Sequence, residues 1–352
     1  MIYTEEEKDL IVFASIEEVS DRQKQVLLFK CRDERERKDY LIKTLSSGVY
    51  NIVENKFCDS AFRTEVIESL NKKGIDCITY LSPLYPENLK NIDEPPIVLF
   101  CKGNTRLLKD DCFSVVGSRR TPASSLALCK KICGELTCAF TVVTGMAEGA
   151  DSAAIEGALP SGRIISVLAN GFDCFYPATN KSLIEKVGRE GLLISEYLPH
   201  ILPLKYNFPF RNRIIAGLSK GTLVVSAGEK SGALITADLA LEYGREVFAF
   251  PYSAGASFGT GCNALIKNGA YLTENILDIL REFGLDLNKS QSPALSEDER
   301  AVLEEIKLAG EGFLSAIAQK LNKQPYQLIP IISSLEIKGL IVRLGGNRYS
   351  II

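Results

Sequence analysis

The sequence of 352 residues has no tryptophan and a single histidine, His200. One histidine cannot supply a multi-histidine metal site, and a Ser-His-Asp triad would have to use this residue. No metal-ligand spacing is evident, so we predict neither a metal nor another cofactor. The single histidine and the lack of metal-ligand spacing favour binding over catalysis, and we expect a protein that is not an enzyme.

Paired cysteines and long apolar runs are also lacking. The ten cysteines include no CxxC pair, and no run of 18 apolar residues or basic-then-apolar leader is present. We therefore expect a cytoplasmic protein with reduced thiols and no membrane contact. Cys129, Cys133 and Cys138 share one predicted helix, where core packing is favoured over a metal or redox role.

The chain also lacks an excess of positive charge, because 41 Lys and Arg oppose 44 Asp and Glu, for a net charge of −3. This balance excludes a uniformly basic nucleic-acid binder but not a locally basic one. Segment 200–230 is such a local exception, with one acidic residue, Glu229. Its cations are Lys205, Arg211, Arg213, Lys220 and Lys230.

The hydrophobic pattern divides the chain into three predicted domains. Residues 1–80 are predicted to form a small helical domain, SAM-like or helix-hairpin-helix-like. Residues 81–286 are predicted to form an extended Rossmann-like α/β domain, with a doubly wound and mostly parallel sheet, because short apolar strands alternate with helical periodicity. The predicted strands are 113–116, 141–143, 164–168, 192–194, 222–225 and 247–250.

The C-terminal residues 294–352 follow a polar linker at 287–293 and predict a winged helix. Ser296 and Glu299 form a capping-box pattern, and two more helices and a β-hairpin with a turn at 345–347 follow. DNA contact by the recognition helix, predicted near residues 325–338, and by the wing is one interpretation. Contact with a protein is the other, because segment 325–330 offers few donors for base edges.

Three loops carry the features that indicate a binding site. Gly117, Ser118 and Arg119 follow the first central strand and precede Thr121-Pro122, predicted as a helix cap and first helical residue. This arrangement predicts an anion site, although a purely structural turn is the alternative. Arg211, Asn212 and Arg213 are predicted at a helix start, and Ser231-Gly232 at another.

In a parallel sheet such loops line a common crevice, and nearby aromatic residues could stack bases or simply pack the loops. We expect that Arg211 and Arg213 are not both structural, although either could form an internal ion pair. Asp151 is predicted as a helix N-cap. Glu196 is a candidate base without an evident partner.

These residues belong to a series of motifs that resembles the DprA/Smf family of DNA-processing proteins. The motifs follow in family order from about residue 80 to 283. They are Tyr85-Pro86, residues 95–103, Gly117-Ser118-Arg119, residues 145–151, Tyr176-Pro177, Ser195-Glu196-Tyr197, and residues 208–217, 231–237 and 244–249.

The resemblance implies a homodimer that binds single-stranded DNA, protects incoming DNA in natural transformation and helps load the RecA recombinase. Asn263 and Leu272 are the candidates for the dimer interface. The implied DNA-binding residues are Gly117, Ser118, Arg119, Arg211, Asn212, Arg213, Lys230, Ser231 and Gly232, with Lys181 and Lys205 as weaker additions.

The sequence departs from the family at Glu148, Ile155 and Tyr252, where the family has a basic residue, a histidine and a glycine. Glu148 could weaken DNA binding, and Tyr252 could reshape the rim of the pocket. Two other functions stay open. One is a Rossmann-like nucleotide-processing enzyme of the phosphoribohydrolase type, whose Pro-Gly-Gly-x-Gly-Thr signature is absent. The other is a transcription factor that uses the winged helix.

Overall fold

A computed structural model describes residues 2–31, 34–285, 296–309, 311–337, 340–344 and 348–351. The described residues up to Leu285 form one compact unit, and those from Ser296 form a second.

The N-terminal segment is helical, as predicted. The last of its helices ends at Lys72, and Gly74 follows with a φ of +65°, a conformation that favours glycine. Leu10, Ile11 and Leu70 share a core with Val98 and Phe100 of the central sheet. The domain boundary at residue 80 stays a prediction. The helices are α1 (Glu5–Ala14), α2 (Asp21–Gln25), α3 (Glu34–Thr44), α4 (Ser47–Cys58) and α5 (Ser60–Lys72).

Nine strands form one sheet in the order β1-β2-β6-β5-β4-β3-β7-β8-β9. Along this order, all neighbouring strands from β6 across to β9 pair in parallel. β2 pairs with β6 in the antiparallel direction, and β1 pairs with β2 in the same way. All six predicted central strands are present. The strands are β1 (Asp76–Thr79), β2 (Val98–Gly103), β3 (Cys112–Val116), β4 (Thr141–Thr144), β5 (Ile164–Val167), β6 (Leu192–Ser195), β7 (Ser219–Val224), β8 (Glu246–Ala249) and β9 (Tyr271–Leu272).

Both faces of the sheet are buried, which confirms the doubly wound, Rossmann-like prediction. Cys112 and Val116 of β3 join one apolar core, whereas Phe113 packs with Phe140 and Phe248. The chain runs outward from β3 to β6 and then returns to β7 on the other side of β3. Ligands bind at such a reversal of strand order. The helices are α6 (Glu87–Lys90), α7 (Ala123–Leu136), α8 (Ala150–Ala158), α9 (Lys181–Glu190), α10 (Asn207–Leu218), α11 (Gly232–Glu242), α12 (Thr260–Lys267) and α13 (Ile276–Glu282).

The second unit has the predicted three helices and hairpin strands, plus a strand, β10, that the sequence did not indicate. The capping box is confirmed, since the Ser296 amide donates to Glu299 at 2.7 Å and the Glu299 amide to Ser296 at 3.2 Å. The predicted linker and hairpin turn lie outside the described residues. The elements are α14 (Glu297–Ala309), β10 (Glu311–Phe313), α15 (Leu314–Lys320), α16 (Pro325–Ile337), β11 (Ile341–Leu344) and β12 (Arg348–Ile351), with sheet order β10-β12-β11.

Candidate functional site

A cleft of about 490 Å³ lies where β3 and β7 end. It brings together the three loop features predicted from the sequence, because parallel strands deliver their following loops to the same edge of the sheet. The predicted binding residues that line it are Gly117, Ser118, Arg119, Arg211, Asn212, Ser231 and Gly232.

Glycines let the loops after β3 and β4 approach each other closely. A Cβ atom on Gly117 would lie 2.6 Å from the Cβ of Ala150, and Gly149 has a φ of +79°. The Ser118 amide donates to the Ser226 carbonyl at 2.8 Å, which fixes the first turn of the loop. These contacts hold the backbone of the loop, while the Arg119 side chain stays exposed at the cleft.

The predicted cap at Thr121 is wrong. α7 begins at Ala123 after Pro122, and the Thr121 hydroxyl donates to the Ser118 carbonyl at 2.8 Å. Its hydroxyl thus closes the loop on itself instead of capping a helix.

Arg211 forms the floor of the cleft with a side chain that is almost fully buried. Its Nη1 donates to the Val167 carbonyl, and its Nε donates to Asn212 at 3.3 Å. Burial lowers the pKa of Arg211, and the nearby Asp151 carboxylate opposes this effect. α10 begins at Asn207 instead of after Pro209, because proline is tolerated in a first helical turn. Arg211 therefore lies beyond the helix start.

Arg213, which we predicted to share this basic wall, lies in an internal ion pair instead. Its Nη2 donates to both carboxylate oxygens of Glu196, at 2.6 and 2.7 Å. Its guanidinium also lies 4.0 Å from the centre of the Phe210 ring. Both arginines are buried, but only Arg211 lines the cleft, so our expectation that they are not both structural stays a prediction. Glu196 has in Arg213 the partner that the sequence did not reveal.

The positive charge counted along segment 200–230 is dispersed in the fold. Lys220 is the second residue of β7, at the sheet end opposite the cleft, and its Nζ pairs with Asp111 at 2.7 Å. Lys230 and Lys205 are exposed but do not line the cleft, and Lys181 lies 5.1 Å from the ring centre of Phe175. Of the five cations in that segment, only Arg211 lines the cleft.

Asp151 is a cleft residue that sequence reasoning placed wrongly. Gly149 occupies the N-cap position of α8, and Asp151 lies inside the first turn with 5% of its surface exposed. Its carboxylate accepts from the Ala147 amide at 3.1 Å. Burial raises its pKa to about 6, although Arg211 opposes the shift. The small apolar residues around it in the sequence were the available sign of burial.

The N-terminus of α11 closes the other side of the cleft. Ser231 caps this helix, as predicted, by accepting from the Ala233 amide at 3.3 Å. The side-chain Nδ2 of Asn212 donates to the Gly232 carbonyl at 3.4 Å and thus links α10 to α11. A helix N-terminus and three arginines, Arg119, Arg120 and Arg211, therefore line one space, an arrangement suited to anions.

The positions that depart from the family are all accommodated. Glu148 is exposed and accepts from Thr179 at 2.7 Å, beside a second cavity of about 30 Å³ that it shares with Arg119 and Arg211. Ile155 is fully buried. The Tyr252 hydroxyl donates to the Val225 carbonyl at 2.6 Å, which anchors the loop after β8.

The two candidate dimer residues differ in their surroundings. The Asn263 side chain is engaged within the chain, because it accepts from the Tyr252 amide at 3.0 Å and donates to the Tyr252 carbonyl at 2.9 Å. Leu272 lies on the edge strand β9 and is 46% exposed. Whether either residue contacts a second copy stays a prediction.

Within residues 2–31, 34–285 and the described parts of 296–351, no group of three or more His, Cys, Asp or Glu side chains is placed to hold a metal ion. Over the same residues, no helix has the length and apolar character needed to span a membrane.

Both the sequence and the fold of this chain are similar to those of known proteins. Residues 76–284 match the family model "DNA recombination-mediator protein A". The DNA processing protein DprA of Streptococcus pneumoniae is 43% identical over 204 residues, which cover 58% of this chain and 72% of that protein.

Solved structures agree with this match. The X-ray structure of the Streptococcus pneumoniae protein aligns with a TM-score of 0.69 and 33% identity, covering 80% of this chain and 99% of that one. A structure of DNA processing protein A from Helicobacter pylori, described for its single-stranded DNA binding mode, aligns with a TM-score of 0.55 and 28% identity, covering 62% and 97%. The chain therefore belongs to the DNA recombination-mediator protein A family, also known as DprA/Smf.

Proposed function

We propose that this protein binds single-stranded DNA in the cleft at the end of β3 and acts as a recombination mediator. In this proposal the cleft residues of the loop after β3, of α10 and of the start of α11 hold backbone phosphates. The protein protects incoming DNA in natural transformation and helps to load the RecA recombinase, a role that belongs in the cytoplasm. The convergence of Arg119, Arg211 and the α11 N-terminus on one cleft is the observation that carries the proposal.

The chemistry of the cleft favours an extended polyanion. Arg119 and Arg120 are exposed at its entrance and can follow a flexible strand, whereas the buried Arg211 offers a fixed cation at its floor. Phe208 lines the same cleft and lies 5.3 Å from Tyr176 between ring centres. Aromatic rings beside cations are typical of single-strand binding, because every base can stack on them. The Helicobacter pylori relative, described for its single-stranded DNA binding mode, supports the same assignment.

Binding without turnover is part of the proposal. Glu196, the carboxylate considered as a base, is engaged at both oxygens by Arg213. A carboxylate held by an arginine in this way is a poor proton acceptor, because the pair stabilises its charged form. Three lysines do not line the cleft, and we propose that they contribute to DNA binding only through long-range electrostatic attraction. They are Lys181, Lys205 and Lys230.

The assay that tests the proposal compares two labelled DNAs of equal length by fluorescence anisotropy. We expect tight binding to oligothymidylate and weaker binding to duplex DNA, with affinity that falls steeply as salt increases. A preference for one duplex sequence would favour the transcription-factor alternative, in which the second unit would be the reader. α16 contains no lysine or arginine and exposes Tyr326 and Ile329, which supports protein contact for that unit.

The homodimer is a second part of the proposal, and Leu272→Glu tests it. A charge on the exposed edge strand β9 is expected to repel a second copy, so sedimentation should shift from dimer to monomer. Leu241→Glu, which changes an exposed leucine of α11, is the matched control and should remain dimeric. A wild-type protein that sediments as a monomer at micromolar concentration would contradict this part of the proposal.

A further inference from the structure

Asp151 and Arg211 meet at Gly145, the first residue after β4. A Cβ atom on Gly145 would lie 2.8 and 2.9 Å from the two terminal nitrogens of Arg211 and in contact with Oδ2 of Asp151. The absence of a side chain at position 145 is therefore what lets the carboxylate and the guanidinium approach the same point. Both residues also line the cleft.

The carboxylate is a buried acid near two cations of the cleft. The charge of Arg211 of α10 acts on it more strongly than that of Arg119 of the loop after β3. Tyr197, which follows β6, faces Arg211. Glu148 lies on the loop that precedes α8, but it is exposed and accepts a hydrogen bond from Thr179.

We propose that Asp151 is a positioning residue for Arg211 and that it takes up a proton when a phosphate-bearing strand enters the cleft. This inference rests on the proposed function, and it adds how the site is regulated. The unprotonated carboxylate holds the guanidinium beside Gly145 and offsets its charge. When a bound phosphate interacts with Arg211 and Arg119, the negative charge of the Asp151 carboxylate in the same buried space becomes unfavourable. Protonation of Asp151 removes that charge.

The direction of the pH dependence follows from this geometry. The pKa of Asp151 in the free protein is about 6, because the side chain is buried. A bound phosphate raises this pKa further, since a nearby like charge disfavours the charged form. Affinity for DNA should therefore increase as pH falls from about 8 toward 6, by about tenfold for each unit by which binding raises the pKa.

The test measures oligothymidylate affinity between pH 5.5 and 8 at constant ionic strength, with calorimetry in two buffers of different ionisation enthalpy. Wild-type protein should bind more tightly at low pH and take up a proton near pH 6.5. Asp151→Asn, which mimics the neutral acid, should bind with little pH dependence and without that uptake. If Asp151 had only a structural role, its replacement would change the DNA affinity but not the number of protons taken up on binding.

Two control variants isolate the group that titrates. Asp238→Asn removes an exposed carboxylate of α11 that does not line the cleft, and it should leave the pH dependence intact. His200→Asn removes the only histidine of the chain, whose Nε2 lies 3.2 Å from Oε1 of Glu17. This variant should also leave the pH dependence of DNA binding intact.

The possible outcomes distinguish a failure of this inference from a failure of the proposed function. If wild-type protein binds DNA with no proton uptake, or if Asp151→Asn takes up the same proton, the inference is overturned while the proposed function stands. If wild-type protein binds no DNA at any pH, the proposed function fails, and the inference fails with it. Should Asp151→Asn fail to fold by circular dichroism, the proton uptake of the wild-type protein alone decides.

Discussion

Replacing Arg119 with alanine is expected to weaken oligothymidylate binding by about ten- to hundredfold, since one hydrogen bond to a charged group contributes about 1.5–3 kcal/mol. Arg119 is exposed at the cleft, so the fold should not depend on its side chain. The slope of log affinity against log salt should also decrease by about 0.7, the share of one phosphate contact on a single strand.

The matched control for this variant is Arg106→Ala. Arg106 is exposed on the short 3-10 helix Thr105–Lys109, which precedes β3 at the sheet end opposite the cleft. Its replacement therefore removes the same charge from a surface outside the cleft. Its affinity should stay within about twofold of wild type, because exposed charges more than a Debye length apart, about 10 Å at 0.1 M salt, are largely screened. Equal losses in the two variants would mean that only net charge matters, and a normal affinity for Arg119→Ala would remove that residue from the site.

Replacing Glu196 with alanine is expected to lower the free energy of unfolding by about 3–5 kcal/mol, the typical cost of removing one partner of a buried ion pair. Only 6% of the Arg213 side chain is exposed, and its Nε and Nη1 already lack hydrogen-bond partners. Without Glu196, a charged guanidinium would remain buried against the Phe210 ring. Urea denaturation followed by circular dichroism measures the loss, since the chain has no tryptophan to report on unfolding.

Two further variants separate the ion pair from a general effect of losing a carboxylate. Glu185→Ala removes an exposed carboxylate of α9 and should change stability by less than about 0.5 kcal/mol. Combining Glu196→Leu with Arg213→Met should cost less than Glu196→Ala, because no uncompensated guanidinium remains buried. A double variant as unstable as Glu196→Ala would show that the pair is not the cause.

The sheet and the meeting of the loops could be predicted from the sequence because each depends on a local pattern. Strands such as β3 and β4 are short runs of mostly apolar and β-branched residues, as is typical of strands buried on both faces. Once the sheet is parallel, the loops at residue 117 and residue 231 have to emerge at one edge. The strand β10 was missed because it has only three residues.

The orientation of individual charged side chains could not be predicted. Arg211 and Arg213 are two positions apart, and successive helical residues turn by about 100°, so the two side chains leave α10 in nearly opposite directions. Which of them faces the cleft depends on how α10 packs, and the partner of Arg213 lies 17 residues earlier in the chain. Asp151 resembled a cap because aspartate near a helix start usually caps the helix, and only the small apolar residues around it in the sequence indicated that it is buried.

Photo-crosslinking tests most directly whether the cleft at the end of β3 is where the strand lies. Oligothymidylate carrying 4-thiothymine would be irradiated with the full-length protein, and the crosslinked peptides identified by mass spectrometry. We predict crosslinks in the peptides around Arg119, Phe208 and Ser231, all of which line the cleft. Crosslinks confined to residues 296–351 would contradict this account and assign DNA binding to the second unit.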